Sequence, residues 1–195
     1  MLDVAAPGAP EQAISHLSER GFVPDLLVNN AGRGDYSPFL DADPVRLHEM
    51  IDLNSRALLD WTHTFLRGMV SRGRGSVIQV ASGIVFVPAP KMATYAASKA
   101  FVHALGEALP FELKGTGVRY LTLYPGATKS EFFLGAGMTP PPSAVPARQV
   151  AREGLRALAR GKSRHVVGAM NRFGIRIMPL LPRAVVASIA AKMTQ

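Results

Sequence analysis

Short unbroken apolar runs alternate along the chain with longer stretches in which apolar residues recur every three or four positions. The runs are Asp25 to Val28, Ser76 to Val80, Arg119 to Tyr124 and His165 to Val167, each rich in Val, Leu or Ile and each closed by Gly, Asn, Ser or Pro. Runs of this length predict strands buried on both faces. Glu11 to Glu19, Pro44 to Ser71, Thr94 to Lys114 and Ala147 to Ala159 carry the helical spacing between them. Asp43 before Pro44 sets an N-cap ahead of a proline at the first helical position, and Gly115 is expected to end the third helix as its C-cap. Strand and helix in alternation predict an α/β fold around a parallel sheet.

The 195 residues are enough for one domain with a sizeable core. Apolar residues make up 48% and charged residues 18%, far from the composition of a disordered chain. There is no cysteine, which excludes a disulfide framework and a thiolate metal site and fits a cytoplasmic setting; no metal site is expected. Met1 to Pro10 lacks the basic and apolar regions of a secretory signal, and no window reaches the apolar length of a membrane span.

The net charge of +8 is uneven: ten Lys or Arg follow Pro146, against the single acid Glu153. Such a segment could meet an anionic membrane surface or a nucleic acid, but a solvated helix face is the commoner outcome, and nucleic-acid binding is not expected. Pro140-Pro141-Pro142 marks a break, dividing a core of about residues 1–140 from a basic and apolar segment of about 141–195 that holds the last strand. Within it Ile175 to Leu181 and Ala184 to Ala191 are apolar and are read as packing against the domain or a second subunit.

Tyr95 and Lys99, in Tyr-Ala-Ala-Ser-Lys, stand four apart and so share a helix face. A phenol is a poor acid-base group at neutral pH, and a neighbouring ammonium favours its ionised form and brings it into a useful range. Ser82 closes a strand at the carboxyl edge where α/β sheets bind ligands, and its hydroxyl could hold a carbonyl. Asn54 supplies an amide from another helix, able to hold a water or a backbone carbonyl behind the lysine. Taken singly, Ser82 reads as a turn serine, Asn54 as a polar helix residue and Tyr-x-x-x-Lys as a chance pair. His103, a turn beyond Lys99, reads as solvated or structural rather than as part of a relay.

Asn29-Asn30-Ala31-Gly32 after one strand, Asn54, Ser82, Tyr95-x-x-x-Lys99 and Tyr124-Pro125-Gly126-Ala127-Thr128 stand in an order and spacing that resembles the short-chain dehydrogenase/reductase family, from about Asp3 to at least Phe133. The resemblance implies a Rossmann-like doubly wound parallel sheet and hydride transfer between NAD(P) and a carbonyl or alcohol carbon, with NADP(H) slightly favoured. It implies Tyr95 as proton donor or acceptor, Lys99 lowering its pKa and binding the nicotinamide ribose, Ser82 polarising the carbonyl and Asn54 maintaining the proton relay. Asn29, Asn30, Ala31 and Gly32 would lie against the cofactor, Pro125 and Gly126 against the nicotinamide, and Thr128 near its carboxamide, with Ser130 standing where the family usually has a threonine.

Such enzymes begin with a strand and a glycine-rich turn that holds the pyrophosphate. No Gly-x-x-x-Gly-x-Gly precedes Asn29, so the chain is expected to be an incomplete domain over 1–195 that lacks the first β-α-β unit, exposes an edge of the Leu26 to Val28 strand and binds NAD(P) weakly. The substrate is expected to be a small carbonyl or alcohol, with a lipid-like one suggested by the apolar tail. A homo-oligomer through the two long helices is expected. The alternatives are a nucleotide-sugar epimerase, disfavoured by Asn-Asn-Ala-Gly; a catalytically silent dimerising fragment; and a protein that meets a membrane or a nucleic acid through its basic tail.

Overall fold

The computed structural model describes residues 2–177. In chain order its strands are β1 (Leu26–Asn29), β2 (Gly75–Val80), β3 (Val118–Tyr124), β4 (Thr128–Lys129), β5 (Val145–Pro146) and β6 (Arg164–Val166). Its helices are α1 (Ala9–Glu19), α2 (Pro44–Ile51), α3 (Leu58–Ser71), α4 (Ala93–Glu112), α5 (Phe132–Gly135), α6 (Ala147–Ala159) and α7 (Ala169–Ile177). β1, β2, β3 and β6 form one parallel sheet in that order, and β4 pairs with β5 beside it.

The strand period of two distributes the core over both faces of this sheet. Leu27, Val77, Val118 and Tyr120 pack with Phe65 and Met69 of α3 on one face, while Ile78, Leu121 and Leu123 pack with Ala157 and Leu158 of α6 on the other. This is the α/β doubly wound arrangement expected from the alternating runs. β1 is an edge strand among the described residues, and Leu26 and Val28 are 41% and 48% exposed.

Besides end shifts of one or two residues, one helix and one cap differ from the sequence reading. The Pro44 to Ser71 stretch is not one regular helix: residues Asp52–Ala57 form a π-helical turn between α2 and α3. A π turn inserts one residue into the helical ladder, and here it carries the buried Asn54 and Ser55. At the end of α4 the C-cap is Leu113, and Gly115 lies in the turn that follows, with φ of +84°. The predicted cap at Asp43 is present: its carboxylate accepts from the Val45 amide at 2.9 Å.

The basic residues Arg148, Arg152, Arg156 and Arg160 all lie exposed along α6. Glu153 on the same helix accepts from the Gly168 amide and Arg172 and meets His165 Nε2 at 3.0 Å, tying α6 to the end of β6 and the start of α7. Of the apolar tail, Ile175–Ile177 fall in α7, and the rest lies outside the described residues. No helix among the described residues is long and apolar enough to cross a membrane.

Candidate active site

Because the sheet is parallel, the carboxyl ends of β1, β2 and β3 open at one edge, and the singled-out residues converge there. Asn29 ends β1, Ser82 follows β2, and Pro125 and Gly126 follow β3. The backbone seals this edge: Ala81 N donates to Leu123 O at 2.9 Å, and Gly83 N donates to Pro125 O at 2.8 Å.

α4 presents Tyr95, Ser98, Lys99, Val102 and Gly106 as its buried face. The four-residue spacing therefore does what the sequence reading required, placing Tyr95 and Lys99 together on the side that meets the sheet. The Tyr95 phenol faces Ser82, whose Oγ accepts from the Ile84 amide at 3.2 Å. Lys99 Nζ donates to Val80 O at 2.8 Å. Asn54 is fully engaged: its amide nitrogen donates to Arg33 O at 2.9 Å and Ser98 Oγ at 3.0 Å, and its oxygen accepts from Arg33 N at 2.9 Å. It therefore holds a backbone carbonyl, that of Arg33, and with it the turn after β1. Gly32 lies between these groups, since a Cβ there would stand 3.0 Å from Asn54 Oδ1 and 3.4 Å from Lys99 Nζ.

The remaining predicted residues take other places. Asn29 Nδ2 donates to Thr62 Oγ1 at 2.9 Å, so its side chain fastens β1 to α3. Asn30 and Ala31 are exposed beside a hollow of about 130 Å³ that Val4, Val28, Leu53 and Trp61 also line. Thr128 Oγ1 donates back to Gly126 O at 3.0 Å, and Ser130 Oγ reaches only Thr128 O, at 3.4 Å. His103 Nδ1 is 2.8 Å from the hydroxyl of Tyr124, part of an aromatic cluster with Phe86.

Three participants were not singled out in the sequence. Ser98 links Asn54 to the Tyr95 carbonyl and sits inside the Tyr-Ala-Ala-Ser-Lys motif, so the motif itself was its signal. Asn171 of α7 presses on the turn after β3, where a Cβ on Gly126 would lie 2.3 Å from its Nδ2. Phe132 of α5 lies over Tyr95, their ring centroids 5.2 Å apart. Neither of these two stands in a local pattern that marks it.

Burial sets the charges. It pushes the Tyr95 phenol up to about 12, against a smaller opposing effect of the Ser82 hydrogen bond, and pushes the Lys99 ammonium down to about 8. Burial is the leading cause at both groups, because desolvation disfavours phenolate and ammonium alike. The folded pKa of Lys99 lies below its ordinary value of 10.5, so its contribution to stability is complete above about pH 10.5 and is lost as pH falls to 8. Lys99→Met is expected to be more stable than the parent by on the order of 2–3 kcal/mol at pH 7. Its stability should also lose the rise between pH 8 and 10. Urea denaturation at pH 7, 8, 9 and 10 checks both; a parent curve flat over that window would show that Lys99 is not a desolvated ammonium.

The short chain dehydrogenase family model matches residues 1–136. The chain is similar to sulfoacetaldehyde reductase 2 of Chromohalobacter salexigens, 37% identical over 69% of this chain and 54% of that protein. It is also similar to a very-long-chain 3-oxoacyl-CoA reductase of Laccaria bicolor, 33% identical over 67% of this chain and 40% of that protein. The chain thus spans about half the length of these curated relatives. Among solved structures, a short chain dehydrogenase from Burkholderia cenocepacia in complex with NADP superposes with a TM-score of 0.78 at 28% identity, over 94% of this chain and 74% of that one. With the motifs assembled at one sheet edge and the family model covering most of the sequence, the chain belongs to the short chain dehydrogenase family.

Proposed function

We propose that the chain supplies the acid-base and nicotinamide-side half of an NAD(P)-dependent oxidoreductase that interconverts a carbonyl compound and its alcohol. The observation that carries this is that Tyr95 and Lys99 share the buried face of α4, with the Tyr95 phenol facing Ser82 at the end of β2 and Lys99 Nζ donating to Val80 O. Lys99 is 4% exposed, and burial alone accounts for its lowered pKa. A buried ammonium has three donors and needs acceptors. Neutral sugar hydroxyls would satisfy those left over.

The dinucleotide, when bound, supplies the hydride that adds to the carbonyl carbon. Tyr95 gives its phenolic proton to the carbonyl oxygen and recovers it from solvent, so ketone, hydride and proton become the alcohol. Ser82 donates to the same oxygen and fixes its position. Asn54 sets the backbone of Gly32 and Arg33, and through Ser98 the start of α4, which makes it a positioning residue for Lys99 and Tyr95. Pro125 and Gly126 form the wall on the β3 side, with Thr128 behind it.

NADP(H) is the favoured form, supported by the NADP complex of the Burkholderia relative, and both named reductases act on a carbonyl. The groups gathered here serve the nicotinamide end, so weak binding by these 195 residues alone is expected. A homo-oligomer through α3 and α4 belongs to the same reading, supported by the exposed Leu59 and Val70 on α3 and Phe101 and Phe111 on α4.

Saturation-transfer NMR of the folded chain with millimolar NADPH, and in parallel NADH, tests this reading. Strong transfer to nicotinamide and adjacent ribose protons, weak transfer to adenine, and loss of the signal in Lys99→Met are expected. Transfer dominated by adenine, or unaffected by Lys99→Met, would overturn the assignment.

A further inference from the structure

We infer that Phe132 is a specificity-determining residue, covering Tyr95 and forming the wall against which the apolar flank of a carbonyl substrate packs. The inference rests on the reading of Tyr95 and Ser82 as the groups that meet the carbonyl.

Tyr95 is only 7% exposed, although it lies at the open edge of the sheet. What covers it is Phe132, its ring inclined at 49° to the phenol. The same ring fills the space on the other side: a Cβ on Gly34 would stand 2.7 Å from Phe132 Cζ. Phe132 is thus wedged between the helix that carries the phenol and the loop after β1, and a carbonyl that reaches Tyr95 has to take up space this ring now occupies.

The wedge sits on a light support. α5 is four residues long, and it is joined to the facing loop and helix by the Tyr36 amide donating to Ala136 O at 3.1 Å and by Arg46 Nη2 donating to Gly135 O at 3.4 Å. Few bonds therefore oppose a shift of the ring. The surroundings it would uncover are apolar: Phe132 packs in one cluster with Tyr36, Ile84, Met92, Tyr95 and Met138. A small charged aldehyde would find few polar partners there, whereas an alkyl or aryl ketone would replace one apolar contact with another. The geometry points to ketones with an apolar substituent, and to the size of residue 132 as the limit on that substituent.

Two readouts on the parent chain, Phe132→Leu and Phe132→Ala test this. The first is nitration by tetranitromethane at neutral pH with peptide mass spectrometry. Tyr95 is expected to be unmodified in the parent, at least fivefold more reactive in Phe132→Ala and intermediate in Phe132→Leu, which keeps an apolar cover should the alanine variant fold poorly. Protection of Tyr95 in the variants by 2-acetonaphthone but not by acetoacetate is also expected. Equal nitration in all three proteins, or no protection by 2-acetonaphthone, would overturn the inference.

The second readout is NADPH-dependent turnover of 2-acetonaphthone against 2-butanone. The ratio of kcat/KM for the two should rise at least tenfold in Phe132→Ala; an equal loss for both ketones would make Phe132 a packing residue only and sink the inference. If none of the three proteins reduces either ketone, the nitration and protection pattern alone decides whether Phe132 guards an apolar site.

Discussion

Tyr95→Phe is expected to lower kcat/KM for ketone reduction about 10²- to 10⁴-fold, the range for removing a positioned general acid, while leaving the fold intact. The substitution deletes one oxygen. The ring keeps its contacts with Met50, Met92 and Phe132, and loss of the hydroxyl facing Ser82 costs about 1 kcal/mol at most. The melting temperature should therefore move by a few degrees at most, which separates a chemical defect from an unfolded one. Steady-state kinetics together with thermal melting checks the prediction, and a variant that retains a tenth of the activity would remove Tyr95 from the acid-base role.

The direction of the Tyr95 shift adds a pH dependence. Burial holds the phenol protonated to about pH 12, and the protonated form is the one that donates. Reduction should then be flat between pH 6 and 8, whereas alcohol oxidation, which needs the phenolate as base, should rise with pH throughout that range. A reduction rate that falls steeply over the same interval would show that another group supplies the proton.

A large loss of stability is expected at Gly106, where α4 crosses β3. A Cβ there would lie 2.0 Å from Thr122 Oγ1 and 3.0 Å from both Thr122 Cβ and Cγ2. Thr122 is fully buried and branched at Cβ, so rotating it exchanges one clash for another. The helix has to move off the sheet instead. Gly106→Ala gains somewhat under 1 kcal/mol of helix propensity, yet overpacking of this kind costs about 3 kcal/mol, leaving a net loss of about 2 kcal/mol. In a chain of this length that lowers the melting temperature by about 4–8 °C.

Thr122→Ala opens the matching space, so the double variant Gly106→Ala/Thr122→Ala should recover most of the loss. The two sites should therefore be strongly coupled in a double-mutant cycle. Additive effects would show that α4 and β3 do not meet as closely as described. Since α4 carries Tyr95 and Lys99, displacement of the helix should also reduce activity in the single variant and restore it in the double.

Much of this architecture is legible in one dimension because its causes are local. The four strand runs came within two residues of β1, β2, β3 and β6, and Ala147 to Ala159 matched α6 at both ends, since apolar periodicity and proline, glycine and aspartate punctuation act over a few residues. The Tyr95 and Lys99 pair was equally legible, because the helical repeat alone puts them on one face. The π turn at Asp52–Ala57 was not: its extra residue is stabilised by the Asn54 amide bonding to Arg33, twenty-one positions away, and no local pattern encodes that bond.

The sequence by itself determined the α/β class, the family and the placing of Tyr95 and Lys99 on one helix face, each a property of residue type and spacing. Only the tertiary structure decided that Asn29 fastens β1 to α3, that Asn54 is consumed in holding the Gly32 turn, that Phe132 and Asn171 close over Tyr95 and Gly126, and that Tyr95 is shifted up rather than down. The reason is physical: spacing sets which residues share a helix face, but burial is a sum over every element packed around them, and that sum is written only in the tertiary structure.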